Sequence, residues 1–321
     1  MTQIGGFIQP TRRPGALGVH SVDHFAFSVP DLKIAEHFYR NFGLEVREEG
    51  GRLELYTQGH PHRWTSIGAG PRKALGYISL GIFEEDYDRF KANFERLGIA
   101  RTDPPPGMES NGLWVRDCDG IPVELKVAEK SSPSSKSEFS QPGGGVGVRS
   151  APLRGANGLV RPRRMAHLLV FVRDLDKSIQ FYAEAFGMRL SDRAGGGAFM
   201  HGIHGSDHHM LAFGQSDAPG IQHCSWDVGS VDDVGAGAMQ MAEQGYTAGW
   251  GLGRHVLGSN FFHYVRDPWG SWCEYSADID YIPADLDWEG RAHPPENSFF
   301  LWGPEPPAEF HMNFESPKMY F

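Results

Sequence analysis

One pattern occurs twice in this chain and is complete only once. Asp23-His24-Phe25-Ala26-Phe27-Ser28-Val29-Pro30-Asp31-Leu32, followed by Phe38-Tyr39, returns as Ala166-His167-Leu168-Leu169-Val170-Phe171-Val172-Arg173-Asp174-Leu175, followed by Phe181-Tyr182. From the His to the Tyr the two copies keep one offset, 143 residues, without a gap. A second pair closes each half: Val115-Arg116-Asp117 running on to Glu124, and Val265-Arg266-Asp267 running on to Glu274. A repeat at this scale constrains the fold more than composition does, because each copy must be a packed unit of the same kind. Both halves open on a strand His and close on a strand Glu. Only the second carries another strand His between them, His223; Tyr77 takes that place in the first half, where no His lies between His62 and His167.

The halves divide again. Each quarter opens on a short alternating strand, passes through an acidic turn into an amphipathic helix, and leaves the helix at a Gly. The spacing predicts helices over residues 32–42, 85–97, 175–186 and 231–244, stopped by Gly43, Gly98, Gly187 and Gly245. Gly just past a helix suits the left-handed cap. Short β-rich runs follow, such as Leu53-Glu54-Leu55-Tyr56 and Met210-Leu211-Ala212-Phe213. Each quarter reads as β-α-β-β-β, so the expected class is α+β, with four such modules paired into two domains. The boundaries are 1–128 for the first, a Ser/Pro/Gly-rich linker over 129–164, 165–280 for the second, and a Pro- and aromatic-rich tail over 281–321. Phe299-Phe300-Leu301-Trp302 and Met319-Tyr320-Phe321 give that tail too many aromatics for disorder. It is expected to cover the body, a partner subunit or a pocket mouth.

A chain of 321 residues suits two domains. Its three cysteines, Cys118, Cys224 and Cys273, are odd in number and lack CxxC spacing, which argues against a disulfide framework and for a reducing cytoplasm. No basic stretch followed by an apolar run opens the chain, so no signal peptide is expected, and no apolar run approaches a membrane span. A net charge of −10 disfavours nucleic acid as a partner.

Two His and one carboxylate can face one ion, where a single His with one carboxylate rarely does. Alternation puts His167 on the face of Leu169 and Phe171. If the opening strands of quarters three and four lie side by side, His167 and His223 enter one cup, and Glu274 on the closing strand completes a facial triad. Such a set leaves adjacent positions open, which suits Fe(II), with Mn(II) as its rival. The first half, with His24 and Glu124 alone, reads as a metal-free copy.

The stretch from Gly253-Arg254-His255 to His263-Tyr264-Val265-Arg266-Asp267-Pro268-Trp269-Gly270-Ser271-Trp272-Cys273-Glu274 resembles the signature of the type I extradiol ring-cleavage dioxygenases. These belong to the vicinal oxygen chelate superfamily, whose domains are glyoxalase/bleomycin-resistance-like barrels. Asp207-His208-His209-Met210-Leu211-Ala212 is similar to the segment that carries that family's acid–base His. The similarity covers about residues 20–280. One departure is His263, which stands where the signature wants an apolar residue; it faces away from Tyr264 and so away from the pocket. The resemblance implies a metal held by His167, His223 and Glu274. His209 would be the acid–base, with His208 as the alternative, and Tyr264 and His255 would hydrogen-bond the diol. His201 and His204 are expected to be exposed loop residues, and Arg254 and Arg266 to be surface ion pairs. The resemblance further implies a catechol-type substrate, O2 as co-substrate and a homo-oligomer. Leu169 and Leu257 are expected in the pocket wall. Two other readings stay open: another metal-dependent enzyme of this fold, an isomerase or an α-keto-acid dioxygenase, and a non-enzymatic ligand-binding module.

Overall fold

The computed structural model describes residues 10–106, 108, 110–140, 143–156 and 158–320. Residues 1–6 and Phe321 lie outside them, as do the side chains of Met319 and Tyr320. The first half contains β1 (Ser21–Val29), α1 (Leu32–Asn41), β2 (Glu45–Glu49), β3 (Arg52–Tyr56), β4 (Arg63–Ala69), β5 (Ala74–Ile82), α2 (Tyr87–Leu97), β6 (Leu113–Arg116) and β7 (Pro122–Val127). The second half contains β8 (Arg164–Val172), α3 (Leu175–Phe186), β9 (Arg189–Ala194), β10 (Gly197–His201), β11 (Ser206–Asp207), β12 (Leu211–Gln215), β13 (Gly220–Asp227), α4 (Val231–Glu243), β14 (Gly249–His255), β15 (Phe261–Arg266) and β16 (Trp272–Ala277). The tail adds β17 (Tyr281–Ile282), β18 (Arg291–His293) and β19 (Phe300–Trp302).

The repeated acidic turns cap the helices. Asp31 accepts from the amides of Lys33 and Ile34, Asp174 from that of Lys177, and Ser230 from that of Asp233, each satisfying an orphan donor of the first turn. After α3 the chain turns through Gly187 at φ 69°, where a Cβ would also collide with the Leu17 carbonyl. That close approach seats the start of the first domain on the second.

The two halves share one strand plan. The first sheet runs β2-β3-β4-β1-β5-β7-β6, and the second runs β18-β9-β10-β12-β8-β13-β16-β15-β14-β19. In each, the opening strands of the paired modules are antiparallel neighbours, β1 with β5 and β8 with β13. Each opening strand also takes a later strand of its own module in parallel, β4, β7, β12 or β16. The second module departs from the four-strand plan. Its first strand after the helix shrinks to a bridge between Arg101 and Val115, because Pro104, Pro105 and Pro106 follow and cannot donate to a ladder.

Between β7 and β8 the described residues carry no strand or α-helix, yet they pack. Phe139 stacks on Phe261 at 5.7 Å, and Arg163 bonds the Glu138 carbonyl and the Asp227 carboxylate. The halves join through aromatic and buried polar contacts. Phe42 stacks on Tyr275 at 3.9 Å, and the Tyr275 hydroxyl donates to the Phe42 carbonyl. The Tyr182 hydroxyl donates to Asp117, and Lys73 forms a buried ion pair with Asp267 in the β15–β16 turn.

A buried charge left alone is costly, whereas the pair itself is close to neutral against an apolar replacement. Lys73→Ala should therefore lower unfolding free energy in urea by about 3–5 kcal/mol. Lys73→Met with Asp267→Leu should recover part of that loss; equal losses in the single and double variants would show that the pair is not buried as described.

Candidate metal centre and cavity

β8, β13 and β16 lie side by side, and their registers set three side chains against one another. Leu169 opposes His223 across β8 and β13, and Ser225 is the neighbour of both His167 and Glu274. His167 Nε2 lies 3.1 Å from His223 Nε2 and 3.1 Å from Glu274 Oε2, and His223 Nε2 lies 3.7 Å from that oxygen. All three residues are buried. Ligands about 2.1 Å from one ion stand about 3.0 Å apart at adjacent octahedral positions and about 3.4 Å apart in a tetrahedron. The observed spacing fits such an ion.

The protonation chemistry agrees. Burial first, then the charge of Arg164, holds His167 down to about 3; burial, against the pull of Glu274, does the same for His223. Both imidazoles are neutral near pH 7 and offer a lone pair. The Nδ1–H of His223 donates to Gln222 Oε1, so its free lone pair is on Nε2, facing the centre. Glu274 Oε1 accepts from Asn260 Nδ2 at 3.0 Å, while Oε2 is buried without a hydrogen-bond donor. Among the described residues this is the group of metal-ligating side chains whose donor atoms converge.

A cavity of about 610 Å³ opens over the triad. His167, Leu169 and Phe171 line it from one face of β8, as alternation requires, and Leu257 lines it as well. His209, His255 and Tyr264 also face it. The ring of His209 lies 4.2 Å from that of His167, and Gly258 leaves the space beside it open: a Cβ there would stand 3.2 Å from His209 Cε1. His208 does not line the cavity; its Nε2 bonds Asp192 at 2.9 Å. His255 Nδ1 donates to the Phe299 carbonyl at 2.7 Å, and its Nε2 accepts from the Tyr264 hydroxyl at 2.9 Å. Burial, then Glu274, raises Tyr264 well above the usual phenol range and keeps it protonated. Burial lowers His209 further than the neighbouring imidazoles alone would.

Several participants were not visible in the sequence. Gln222 both touches His223 and lines the cavity, although adjacent strand residues normally face opposite ways. A register shift between Ile221 and His223 brings them together. The tail reaches the centre through Phe310, whose carbonyl accepts from Gln222 Nε2 and whose ring packs on Tyr264. Phe299 and Phe310 line the cavity, and β19 pairs with β14. Arg254 and Arg266 stay out of it, near Asp278 and Glu309. His263 is outside too.

His201 and His204 depart from expectation. They are buried rather than exposed loop residues: His201 Nδ1 meets Ser191, and His204 is enclosed between Gly18, Arg13 and Phe83 where the two halves meet. His201 ends β10 inside its own sheet, and for His204 hydropathy at a loop cannot report a surface that another domain covers.

Residues 21–125 and 164–275 match the Glyoxalase/Bleomycin resistance protein/Dioxygenase superfamily. The chain is 45% identical over 308 residues to Metapyrocatechase 2 of Cupriavidus necator, covering 96% of each protein. It is 23% identical over 304 residues to the manganese-dependent 2,3-dihydroxybiphenyl 1,2-dioxygenase of Geobacillus genomosp. 3, covering 88% of this chain and 93% of that one. The crystal structure of homoprotocatechuate 2,3-dioxygenase from Arthrobacter globiformis superposes with a TM-score of 0.73 at 17% identity, covering 95% of each chain.

Buried neutral histidines outside the triad give a pH test of this packing. Burial, the largest cause in each, lowers His20 and His201 to about 3 and His204 and His263 to about 4, from an ordinary 6.5. Below pH 6.5 the unfolded chain binds protons that the folded chain refuses, so stability falls as pH drops through that window and is level above it. At pH 5 each such group costs about 2 kcal/mol. The urea midpoint of the metal-free protein should be level from pH 8 to 7 and fall steeply from 6.5 to 5; a flat profile down to pH 5 would contradict burial of these rings.

Proposed function

We infer the working of this site from one premise: the chain belongs to the Glyoxalase/Bleomycin resistance protein/Dioxygenase superfamily and, within it, is an extradiol ring-cleavage dioxygenase. The observation that carries the residue roles is the convergence of His167, His223 and Glu274 beneath a cavity that His209, Tyr264 and His255 also face. In this reading the triad holds one divalent cation, Fe(II), with Mn(II) as the alternative that a manganese-dependent relative keeps open. A bound metal of this kind supplies a template for a vicinal diol and O2 and a path for electrons between them.

The chain's own residues do the rest. A ring hydroxyl must lose a proton as the diol binds, and a proton must be returned later in the cycle. His209, neutral and bordering the triad, accepts the first and returns the second. Tyr264 stays protonated and turns its one hydroxyl hydrogen from His255 Nε2 to a developing oxyanion; until then His255 holds that hydroxyl beside the cavity. The walls keep water from the reacting atoms: Leu169, Phe171, Phe199, Phe213 and Leu257 are apolar, and the tail closes one side.

Among the described residues no Lys or Arg lines the cavity, and Glu305 sits exposed at its edge. A ring substituent that carries a carboxylate would find no cation and would meet a like charge. The substrate class we propose is a catechol that is unsubstituted or bears an uncharged apolar group. The isomerase alternative would want a further carboxylate as base near the triad, and Glu305 lies at the rim instead.

The homo-oligomer is a proposal that rests on β19, an edge strand with Leu301 and Trp302 exposed. No helix among the described residues is long and apolar enough to cross a membrane. The cytoplasmic setting is a proposal that rests on three unbridged cysteines.

Protein loaded with Fe(II) without air and then given O2 should produce ring-fission absorbance with catechol and alkyl or aryl catechols. The kcat/KM should be at least about 10-fold lower with carboxylated catechols, the discrimination expected for a desolvated, unpaired charge. His209→Ala should lose about 10²–10⁴-fold in kcat while keeping its metal. Full turnover in that variant would remove His209 from the mechanism, and preference for a carboxylated catechol would overturn the substrate class.

A further inference from the structure

The two adjacent histidines of the His208-His209 pair face different surroundings. His209 borders the cavity. His208 lies behind it, 1% exposed, with the ring of Trp288 edge-on at 5.5 Å. Its Nε2 is 2.9 Å from Asp192 Oδ2, and its Nδ1 is 3.1 Å from Nδ1 of His209. The other oxygen of Asp192 accepts from His293 Nε2 at 2.7 Å and from the Arg291 amide at 3.0 Å.

With both rings neutral, these contacts permit one assignment of protons. A carboxylate only accepts, so His208 Nε2 carries the hydrogen. A neutral imidazole then has its lone pair on Nδ1, and the contact between the two rings must be donated by the Nδ1–H of His209. That leaves the lone pair of His209 on Nε2, its one uncommitted ring nitrogen. We propose that Asp192 and His208 are positioning residues, a carboxylate–imidazole pair that locks His209 in the tautomer able to take a proton at Nε2. The pair fixes the ring's orientation too, since a flipped His209 would lose its hydrogen bond to His208. When Nε2 takes the hydroxyl proton, the Nδ1–H still donates to His208, with the Asp192 charge behind it. The logic is that of a carboxylate orienting a catalytic imidazole, extended by one ring. It rests on the role given to His209 above.

Asp192 also anchors the tail, so the test must separate the two duties. Asp192→Asn offers its amide to His208 Nε2 as a donor and reverses the tautomers of both rings. In the full-length, metal-loaded enzyme its kcat should fall about 100-fold, with KM within about threefold and bound metal unchanged. His293→Ala removes the tail contact and leaves the pair intact, so its kcat should stay within about threefold of wild type. A second pair of variants covers the case in which Asp192→Asn does not fold. In His208→Asn an amide oxygen stands near the place of Nδ1 and can accept from His209; in His208→Leu nothing can. The Asn variant should retain more than about 10-fold the kcat of the Leu variant. The proposal is overturned if Asp192→Asn keeps its kcat, if His293→Ala falls as far as Asp192→Asn, or if the two His208 variants are equally slow. A wild type that cleaves none of the catechols would be a different result, overturning the dioxygenase reading itself.

Discussion

Two imidazole lone pairs and a carboxylate oxygen of buried residues meet within 3.1–3.7 Å, and the rest of the site depends on what that arrangement requires. Burial and neighbouring charge hold both imidazoles near a pKa of 3, so the cluster carries no positive charge of its own at neutral pH. Three electron-rich atoms repel one another unless a cation stands between them. The strand order β8-β13-β16 exists in both halves of the protein, but only here does it hold side chains that want such an ion. Gln222 and Asn260 then fix the outer atoms of His223 and Glu274, so the inner atoms cannot turn away.

The first half shows what the same backbone does without that requirement. Ala26 opposes Tyr77 as Leu169 opposes His223, and Ser79 neighbours Glu124 as Ser225 neighbours Glu274. Phe25 pairs Thr65 as Leu168 pairs Leu211, so Arg63, two residues before Thr65, holds the place of His209. Its guanidinium lies 3.0 Å from His24 Nε2 and 3.5 Å from Glu54. Tyr77 meets the same nitrogen at 3.0 Å, and Ser79 and Ser110 donate to Glu124. The first-half counterparts of His167 and Glu274, His24 and Glu124, are each met by fixed protein groups. Fold and chemistry separate cleanly: two copies of one register, one with three possible ligand atoms left converging and one filled by an arginine.

Much of this was legible because it is periodic. The 143-residue repeat, the Asp caps and the glycines past each helix define the modules, and α3 spans the predicted residues 175–186. The triad could be read because strand alternation and the repeat place His167, His223 and Glu274 at matching positions. What escaped has no period. The bulge at Gln222 reverses an alternation rule, the burial of His204 depends on a domain contact, and His201 ends β10 against Ser191 of β9. The prolines after Arg101 erase a strand that pattern matching supplies. Asp192 reaches His208 only because β9 and the His208 turn meet in space. The tail's aromatics announced that they would pack, but not that the Phe310 carbonyl would support the partner of His223.

The most direct measurement is the count of divalent cations on the purified full chain, loaded with Fe(II) or Mn(II) without air and freed of excess metal. The account predicts one ion per chain in the wild type and none in His223→Ala or Glu274→Ala, with both variants folded. Metal retained in those variants at the wild-type level, or a wild type that binds none, would contradict it.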